Sequence, residues 1–135
     1  MLALLGIAGC VGQSLNTIYV GPHPVRVEVA HTTKQRTMGL MYRGNLPANQ
    51  GMLFMYPDEA PRQFWMKNTR IPLSVAFADH DGRILNIATM RPMSTTHTRS
   101  ASNAQYALEM NQGWFEAHHI QPGDTLRQLP SIAPE

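Results

Sequence analysis

Residues 64–69 read Phe-Trp-Met-Lys-Asn-Thr and combine side chains well suited to holding a ligand. A large aromatic ring stands beside an amine and an amide, which together can stack on a small molecule and orient it. In a short strand, alternation would turn either Phe64 or Trp65 into the core and leave the other outside. A structural role also fits, because Asn68 and Thr69 can hydrogen-bond the turn that follows.

Charged residues elsewhere in the chain could complete such a site. Arg36, Arg43 and Lys67 could converge on an anionic ligand, with Glu109 as their counter-ion. Glu109 could equally be paired on the face of a strand, because sequence alone does not bring these groups together. The predicted ligand-binding set, which includes no catalytic residue, cofactor or metal, is Arg36, Arg43, Trp65, Lys67, Asn68 and Glu109.

Two alternatives to a binding module stay open, and the first is an enzyme. It would use Glu109 or His97 as an acid or base of perturbed pKa inside a concave site. The chain contains no nucleophile elbow, Gly-rich phosphate loop, zinc-protease helix or paired-cysteine motif. Its single cysteine, Cys10, lies in an apolar leader, so neither an intramolecular disulfide nor a cysteine enzyme is expected.

The second alternative is a Cu(I) protein, since thioethers are soft ligands and the chain has nine methionines. Spacing of three places two side chains on one face only in a helix, whereas in a strand it turns them to opposite faces. Core filling is therefore favoured for most of these side chains. The pairs at this spacing, with His97 as a further ligand, are Met38 and Met41, Met52 and Met55, and Met90 and Met93.

Residues 1–10 form an apolar run that closes on Ile7-Ala8-Gly9-Cys10 and resembles the end of a bacterial lipoprotein signal. The run is too short to span a bilayer. Lipidation of Cys10 would supply the multiple acyl chains that stable anchoring needs. No cation precedes the run, and the alternative is an N-terminal strand or helix packed in the core with Cys10 as a small buried hydrophobe. We expect an exported, lipid-anchored protein on the periplasmic face of the bacterial cell envelope.

The overall charge argues against a nucleic-acid partner. The formal net charge is only +2, and the cations are scattered from Arg26 to Arg127 without a basic stripe. Apolar residues make up 43% of the chain and charged residues 15%, which suffices for a hydrophobic core without staples. The expected partners are a small molecule or an envelope protein, together with the membrane through Cys10.

Short segments bounded by turn residues must position these groups. We predict a flexible tether over residues 11–24, a single globular domain over 25–130 and a tail over 131–135. Predicted strands cover 25–29, 51–56, 63–66, 73–78, 84–87, 106–110 and 125–129. Short helices are predicted after Thr32 or Thr33 and after Asn111, around residues 114–118. This pattern predicts a β-rich α+β fold, a small barrel-like, mostly antiparallel sheet with two short helices.

Several short motifs occur in a characteristic order: Gly39-Leu40-Met41 with Arg43, Gly51-Met52-Leu53-Phe54, residues 64–69, Ile71-Pro72-Leu73, Asp81-Gly82, Leu108-Glu109 and Gly123-Asp124. In this order, from about Val25 to Leu129, the chain resembles the domain-of-unknown-function family one hundred and ninety-two. The resemblance implies a compact, mostly β, barrel-like domain of bacteria and archaea, often behind an export signal and without an established enzymatic activity. It implies a fold rather than a function.

The chain departs from that family pattern at two positions. Ser74 stands where the family usually has an aspartate, so a charge-dependent role of that position is not expected here. His119 stands where a glycine is usual, and a positive φ at that position would carry an energetic cost for histidine. The sequence thus predicts an uncharacterised cell-envelope domain, a non-catalytic accessory or ligand-binding module.

Overall fold

The computed structural model describes residues 14–132, which form nine strands and two short helices. The predicted signal over residues 1–10, with Cys10, lies outside the described residues. In chain order the elements are β1 (Asn16–Val20), β2 (His23–Ala30), α1 (Thr33–Met38), β3 (Gln50–Ala60), β4 (Gln63–Phe64), β5 (Leu73–Ala78), β6 (Ile84–Met90), β7 (Thr98–Arg99), β8 (Ala104–Asn111), α2 (Trp114–Ala117) and β9 (Leu126–Arg127).

Seven of the strands form one curled, half-barrel sheet in the order β6-β5-β8-β3-β2-β1-β9. Every neighbouring pair is antiparallel except β2 and β3. An isolated bridge between Arg83 and Thr125 links the two ends of the sheet. The predicted β-rich α+β fold with a mostly antiparallel, barrel-like sheet is therefore confirmed. Within residues 14–132, no helix has the length and apolar character that crossing a membrane would require.

Strand β3 lies in the middle of the sheet and is covered on both faces. Leu53 and Met55 belong to a core cluster inside the curl, whereas Met52 and Phe54 belong to a second cluster on the outer face. A strand buried on both sides needs apolar residues at every position. This explains the continuous apolar run from which the buried strand was predicted.

The connection from β2 to β3 covers the outer face of the sheet. Parallel neighbours require a crossover, and here it consists of α1 and the segment that follows. The predicted N-cap is confirmed: the Thr32 side chain accepts a hydrogen bond from the Gln35 backbone N–H, and the Gln35 side chain accepts one from the Thr32 N–H. Leu40 and Leu46 then bury their side chains in the outer cluster.

Two further loops lie beside this crossover. Strands β4 and β7 pair as a small second sheet. Beyond it, the Met66 N–H donates to the Ser94 carbonyl at 2.8 Å, and the Met93 N–H donates to the Thr69 carbonyl at 2.9 Å. These bonds join the segment after β4 to the loop between β6 and β7 along one end of the molecule.

Three sequence predictions of local structure are wrong. Residues 16–20 and 23–24 belong to the β1–β2 hairpin, so the flexible tether predicted over 11–24 does not extend over them. Strand β3 continues past Pro57 to Ala60, whereas the predicted strand ends at residue 56. Proline is tolerated there because the pairing of β3 with β8 is irregular between Met55 and Ala60, so no regular ladder hydrogen bond is lost. The N-cap of α2 is Gly113 rather than Asn111, whose side chain donates to the Leu46 carbonyl.

The structure shows the environment of the two residues that depart from the family pattern, Ser74 and His119. Ser74 is buried, and its hydroxyl oxygen accepts a hydrogen bond from the Gly113 N–H at 3.2 Å. His119 has a φ of 58°, so it occupies the left-handed region just beyond α2. The expected backbone cost of a histidine at this position is therefore present in the fold.

Candidate functional site

A cavity of about 580 Å³ opens on the outer face of the sheet, between α1, the far half of β3 and β4. Its walls combine aromatic rings, two guanidinium groups, an imidazole and the carboxyl groups of Asp58 and Glu109. The residues with polar or aromatic side chains used below are Arg36, Phe54, Tyr56, Arg62, Phe64, Trp65, His97 and Glu109.

Glu109 is the buried acid of this cavity. Its position on β8 pairs with Met52 of β3 on one side and with Val75 of β5 on the other, so apolar neighbours flank it. Only 4% of the residue is exposed, and burial raises the pKa of its carboxyl group to about 8. Within residues 14–132, no hydrogen bond reaches this carboxyl group. At neutral pH the group is mainly protonated and carries an O–H donor toward the cavity.

Tyr56 stands between two guanidinium groups. The Arg62 guanidinium carbon lies 3.8 Å from the Tyr56 ring centroid, and that of Arg36 lies 4.8 Å from it. Burial raises the pKa of the Tyr56 hydroxyl, while Arg62 and Arg36 oppose the rise. The ring therefore spaces two cations along one wall of the cavity.

Backbone carbonyls hold both guanidinium groups in place. Arg36 donates to the carbonyl oxygens of His31 and Met55. Arg62 donates from Nε to the Ala104 carbonyl at 2.9 Å and from Nη2 to Asp58. These bonds leave Nη1 of Arg62 without a hydrogen-bond partner in the described part of the chain, so this donor is available to a ligand.

Trp65 lies at the mouth of the cavity and is 43% exposed. Its ring centroid lies 5.9 Å from that of His97, and the Lys67 Nζ lies 5.3 Å from its ring centroid. Phe64 points the other way and makes edge contacts with Phe54 and Phe77 in the outer cluster. The predicted division of this pair, with one ring in the core and one outside, is therefore confirmed.

The structure brings together three of the six predicted ligand-binding residues. Arg36, Trp65 and Glu109 line the cavity, and Lys67 lies beside it over the Trp65 ring. Arg43 forms a two-pronged ion pair with Glu28, whose hydrogen bond raises the pKa of the guanidinium. Asn68 donates to the Tyr42 hydroxyl at 2.9 Å.

Sequence reasoning missed Tyr56 and Arg62, and it did not connect His97 with Trp65. Strand alternation would have predicted the position of Tyr56, since it follows Met52 and Phe54 at spacing two on the outer face of β3. Arg62 gives no such signal, because its partner Ala104 is 42 positions away.

The methionine pairs behave as strand spacing requires. Met52 and Met55 lie in different core clusters, and Met90 is buried whereas Met93 is exposed. Met38 and Met41 do line the cavity together with His97. The two guanidinium groups of that cavity repel a metal cation, which disfavours copper binding there.

Outside the cavity, Glu59, Asp79 and His80 have potential metal-ligand atoms within 4.8 Å of one another. Asp79 accepts from the backbone N–H groups of Asp81 and Arg83, as is typical of an aspartate that begins a turn. His80 Nδ1 lies 2.9 Å from the Glu59 carboxylate, and this contact raises the pKa of the exposed imidazole. The cluster is thus a capped turn with an ion pair.

One family model and two solved structures match this chain. The DUF192 family model, described as an uncharacterised ACR, matches residues 16–128. A Sinorhizobium meliloti protein, provisionally described as a transcription regulator, superposes with a TM-score of 0.84 at 34% identity, over 88% of this chain and 97% of its own. A Novosphingobium aromaticivorans protein of unknown function superposes with a TM-score of 0.83 at 32% identity, over 93% of each chain. The comparison with curated proteins gave no match.

Proposed function

The chain belongs to the DUF192 family, described only as uncharacterised, and we propose that it is a non-catalytic binding module of the cell envelope. Its cavity takes a small organic anion that carries a flat apolar portion. The single observation that carries this proposal is the meeting of Arg62, Glu109 and Trp65 around one cavity.

The polar groups of the cavity suit the anionic end of such a ligand. Arg62 offers Nη1 beside the ring of Tyr56, and a guanidinium donates to carboxylate or phosphate oxygens with favourable geometry. Glu109, protonated because of its burial, adds a neutral O–H donor without repelling an anion. Asp58, the other carboxylate of the lining, is exposed and paired with Arg62.

The aromatic groups suit the apolar portion. Trp65 keeps 43% of its surface exposed at the mouth, although burial would be more favourable for a side chain of this size. Phe54 and Phe64 contribute further aromatic surface to the lining. A flat ring stacked on Trp65 would bury apolar surface of the indole.

The envelope location rests on the apolar run that ends at Cys10. We propose that Cys10 is lipidated and holds the domain on the periplasmic face, with no nucleic-acid partner. Expression of the full chain in a bacterial host, followed by mass spectrometry of the N-terminal peptide, tests this. The proposal expects a diacylglyceryl adduct on Cys10 and membrane fractionation that Cys10→Ser abolishes. An unprocessed N-terminus in the soluble fraction would contradict it.

An enzyme remains the second candidate, because the raised pKa of Glu109 suits a general acid near neutral pH. His97 lines the same cavity and could serve as its partner. Glu109→Gln separates the two functions: the variant keeps a hydrogen-bond donor and so retains ligand binding, whereas it would abolish turnover by an acid.

Ligand binding is tested by the thermal shift of the full chain with benzoate and phenyl phosphate, and with benzyl alcohol as an uncharged control. We expect the two anions to raise the Tm and benzyl alcohol to have no effect. Arg62→Gln should weaken binding roughly tenfold to a hundredfold, the usual range for losing a charged hydrogen bond. Arg83→Gln, an exposed cation outside the cavity lining, is the matched control and should bind normally. Equal affinity in both variants would overturn the anion site.

A further inference from the structure

Four large apolar side chains remain exposed, two in the lining of the cavity and two on loops bonded to the segment after β4. Their exposed fractions are 46% for Met38, 71% for Tyr42, 43% for Trp65 and 52% for Met93. Isolated exposed side chains of this kind need no explanation, but a group on one side of a molecule indicates an interaction surface.

Backbone hydrogen bonds join the loops of Tyr42 and Met93 to the segment that follows Trp65. The Tyr42 N–H donates to the Asn68 carbonyl at 2.9 Å, and the Met93 N–H donates to the Thr69 carbonyl at 2.9 Å. Tyr42, Asn68 and Met93 have φ values of 65°, 55° and 65°, in the left-handed region that non-glycine residues rarely adopt. Strained backbone at three adjoining loop positions is typical of a functional surface.

Cations are concentrated on the same three loops, residues 31–49, 61–72 and 91–103, which we call the cationic face. These segments contain no Asp or Glu. They carry eight of the eleven cations of the chain: Lys34, Arg36, Arg43, Arg62, Lys67, Arg70, Arg91 and Arg99. The fold therefore collects charges that are scattered along the sequence.

Neighbouring acids offset only part of this charge. Glu28 pairs with Arg43, and Asp58 pairs with Arg62. Glu109 is buried in the cavity and has a raised pKa, so it adds little negative charge at neutral pH. An excess of positive charge surrounds the exposed apolar groups.

The N-terminal end of the described domain lies at this end of the molecule. Ser14 and Asn16 line a groove of about 390 Å³ together with His31 and Gln35, at the start of α1. Cys10 precedes Ser14 by four residues, which span at most about 14 Å when fully extended. A lipid on Cys10 would therefore keep the cationic face within reach of the membrane surface.

We propose that the cationic face docks on an anionic phospholipid surface. Lys and Arg side chains pair with lipid phosphates there, and Trp65, Tyr42, Met38 and Met93 enter the interfacial layer. The mouth of the cavity then opens toward the lipid headgroups. This inference rests on the proposed envelope location, but not on the proposed ligand.

Vesicle binding tests the cationic face in the full chain carrying two substitutions. Cys10→Ser removes the lipid anchor, and Trp114→Phe leaves Trp65 as the single tryptophan. Vesicles of phosphatidylcholine alone are compared with vesicles that contain one third phosphatidylglycerol. We expect co-sedimentation only with the anionic vesicles, loss of binding at high salt, and quenching of Trp65 by brominated lipid. Equal binding to neutral vesicles, or an unquenched Trp65, would overturn the proposal.

Two matched pairs of substitutions locate the surface. Arg70→Gln with Arg91→Gln removes two exposed cations from the cationic face, and should weaken vesicle binding about thirtyfold at about 1 kcal/mol per cation. Arg26→Gln with Arg83→Gln removes two exposed cations from elsewhere and should have little effect. Equal losses in the two variants would reject the face.

A competition experiment separates lipid from another polyanion. A twenty-base-pair DNA duplex is titrated into the vesicle-bound chain under the same salt conditions. The proposal expects the vesicles to retain the protein. Tighter binding to the duplex, with the same dependence on Arg70 and Arg91, would overturn membrane docking in favour of nucleic acid. The thermal-shift test with benzoate contains no lipid, so the failure of one proposal does not affect the other.

Discussion

Gly51 packs against the backbone of Glu109 so closely that a Cβ atom on the glycine would lie less than 3.0 Å from the glutamate carbonyl oxygen. The same Cβ would also collide with the Met110 sulfur. Gly51 pairs with Met110 in the β3–β8 ladder, next to the pair of Met52 and Glu109. A motif glycine thus sets the approach of the strand that carries the buried acid.

Gly51→Ala should destabilise the domain by about 3 kcal/mol or more, because a methyl group cannot fit against the β8 backbone without moving the strand. Gly44→Ala is the matched control, since a Cβ there meets nothing within 4 Å, and its effect should be close to zero. Urea denaturation of both variants measures the difference. Equal stability would show that β3 and β8 can separate without cost.

The free energy of unfolding should fall as the pH rises from about 4.5 to about 8. Folding raises the pKa of Glu109 to about 8, so in this range the folded state keeps a proton that the unfolded state has lost. The slope is at most about 1.4 kcal/mol per pH unit. Glu109→Gln should remove this component, whereas the exposed Glu116→Gln should retain it. Urea denaturation at pH 5, 6, 7 and 8 checks the prediction, which parallel curves for wild type and Glu109→Gln would refute.

His119→Gly should stabilise the domain by about 0.5–1 kcal/mol, because relief of the steric cost that histidine bears at a φ of 58° exceeds the added entropy of glycine in the unfolded chain. Gln121→Gly, at a nearby exposed position outside the left-handed region, should instead destabilise it by about 0.5–1 kcal/mol through the entropy of the unfolded chain. Thermal unfolding distinguishes the two signs. A lower Tm for His119→Gly would mean that the imidazole makes a compensating contact.

Local signals in the sequence predicted much of the fold correctly. The Thr32 cap and strand β5 depend on neighbouring residues, so capping chemistry and a short run rich in apolar residues sufficed to predict them. Strand β1 was missed because the polar and turn-forming residues around it, such as Gly21, Pro22 and Pro24, favoured a flexible tether over 11–24. Its apolar positions, such as Ile18 and Val20, are buried only because the rest of the sheet covers them.

The candidate site was predictable only in part, since its geometry comes from long-range pairing. Trp65 and Glu109 stood out by residue type, but Arg62 reaches the cavity through contacts with distant Ala104. Arg43 was misplaced because its partner, Glu28, lies on β2, 15 positions earlier in the chain. The cations of the cationic face are likewise scattered along the sequence, and only the fold brings their three segments together.

The two indole N–H signals of the ¹⁵N-labelled full chain test the central claim most directly. Trp65 lines the cavity, whereas Trp114 packs in the other core cluster and donates to the Asn49 side chain at 3.0 Å. Titration with phenyl phosphate should shift the Trp65 signal in a saturable manner and leave the Trp114 signal in place. In Arg62→Gln, the same shift should require a roughly tenfold to hundredfold higher concentration. An unmoved Trp65 signal at saturating phenyl phosphate, or equal movement of both signals, would contradict an organic-anion site in this cavity.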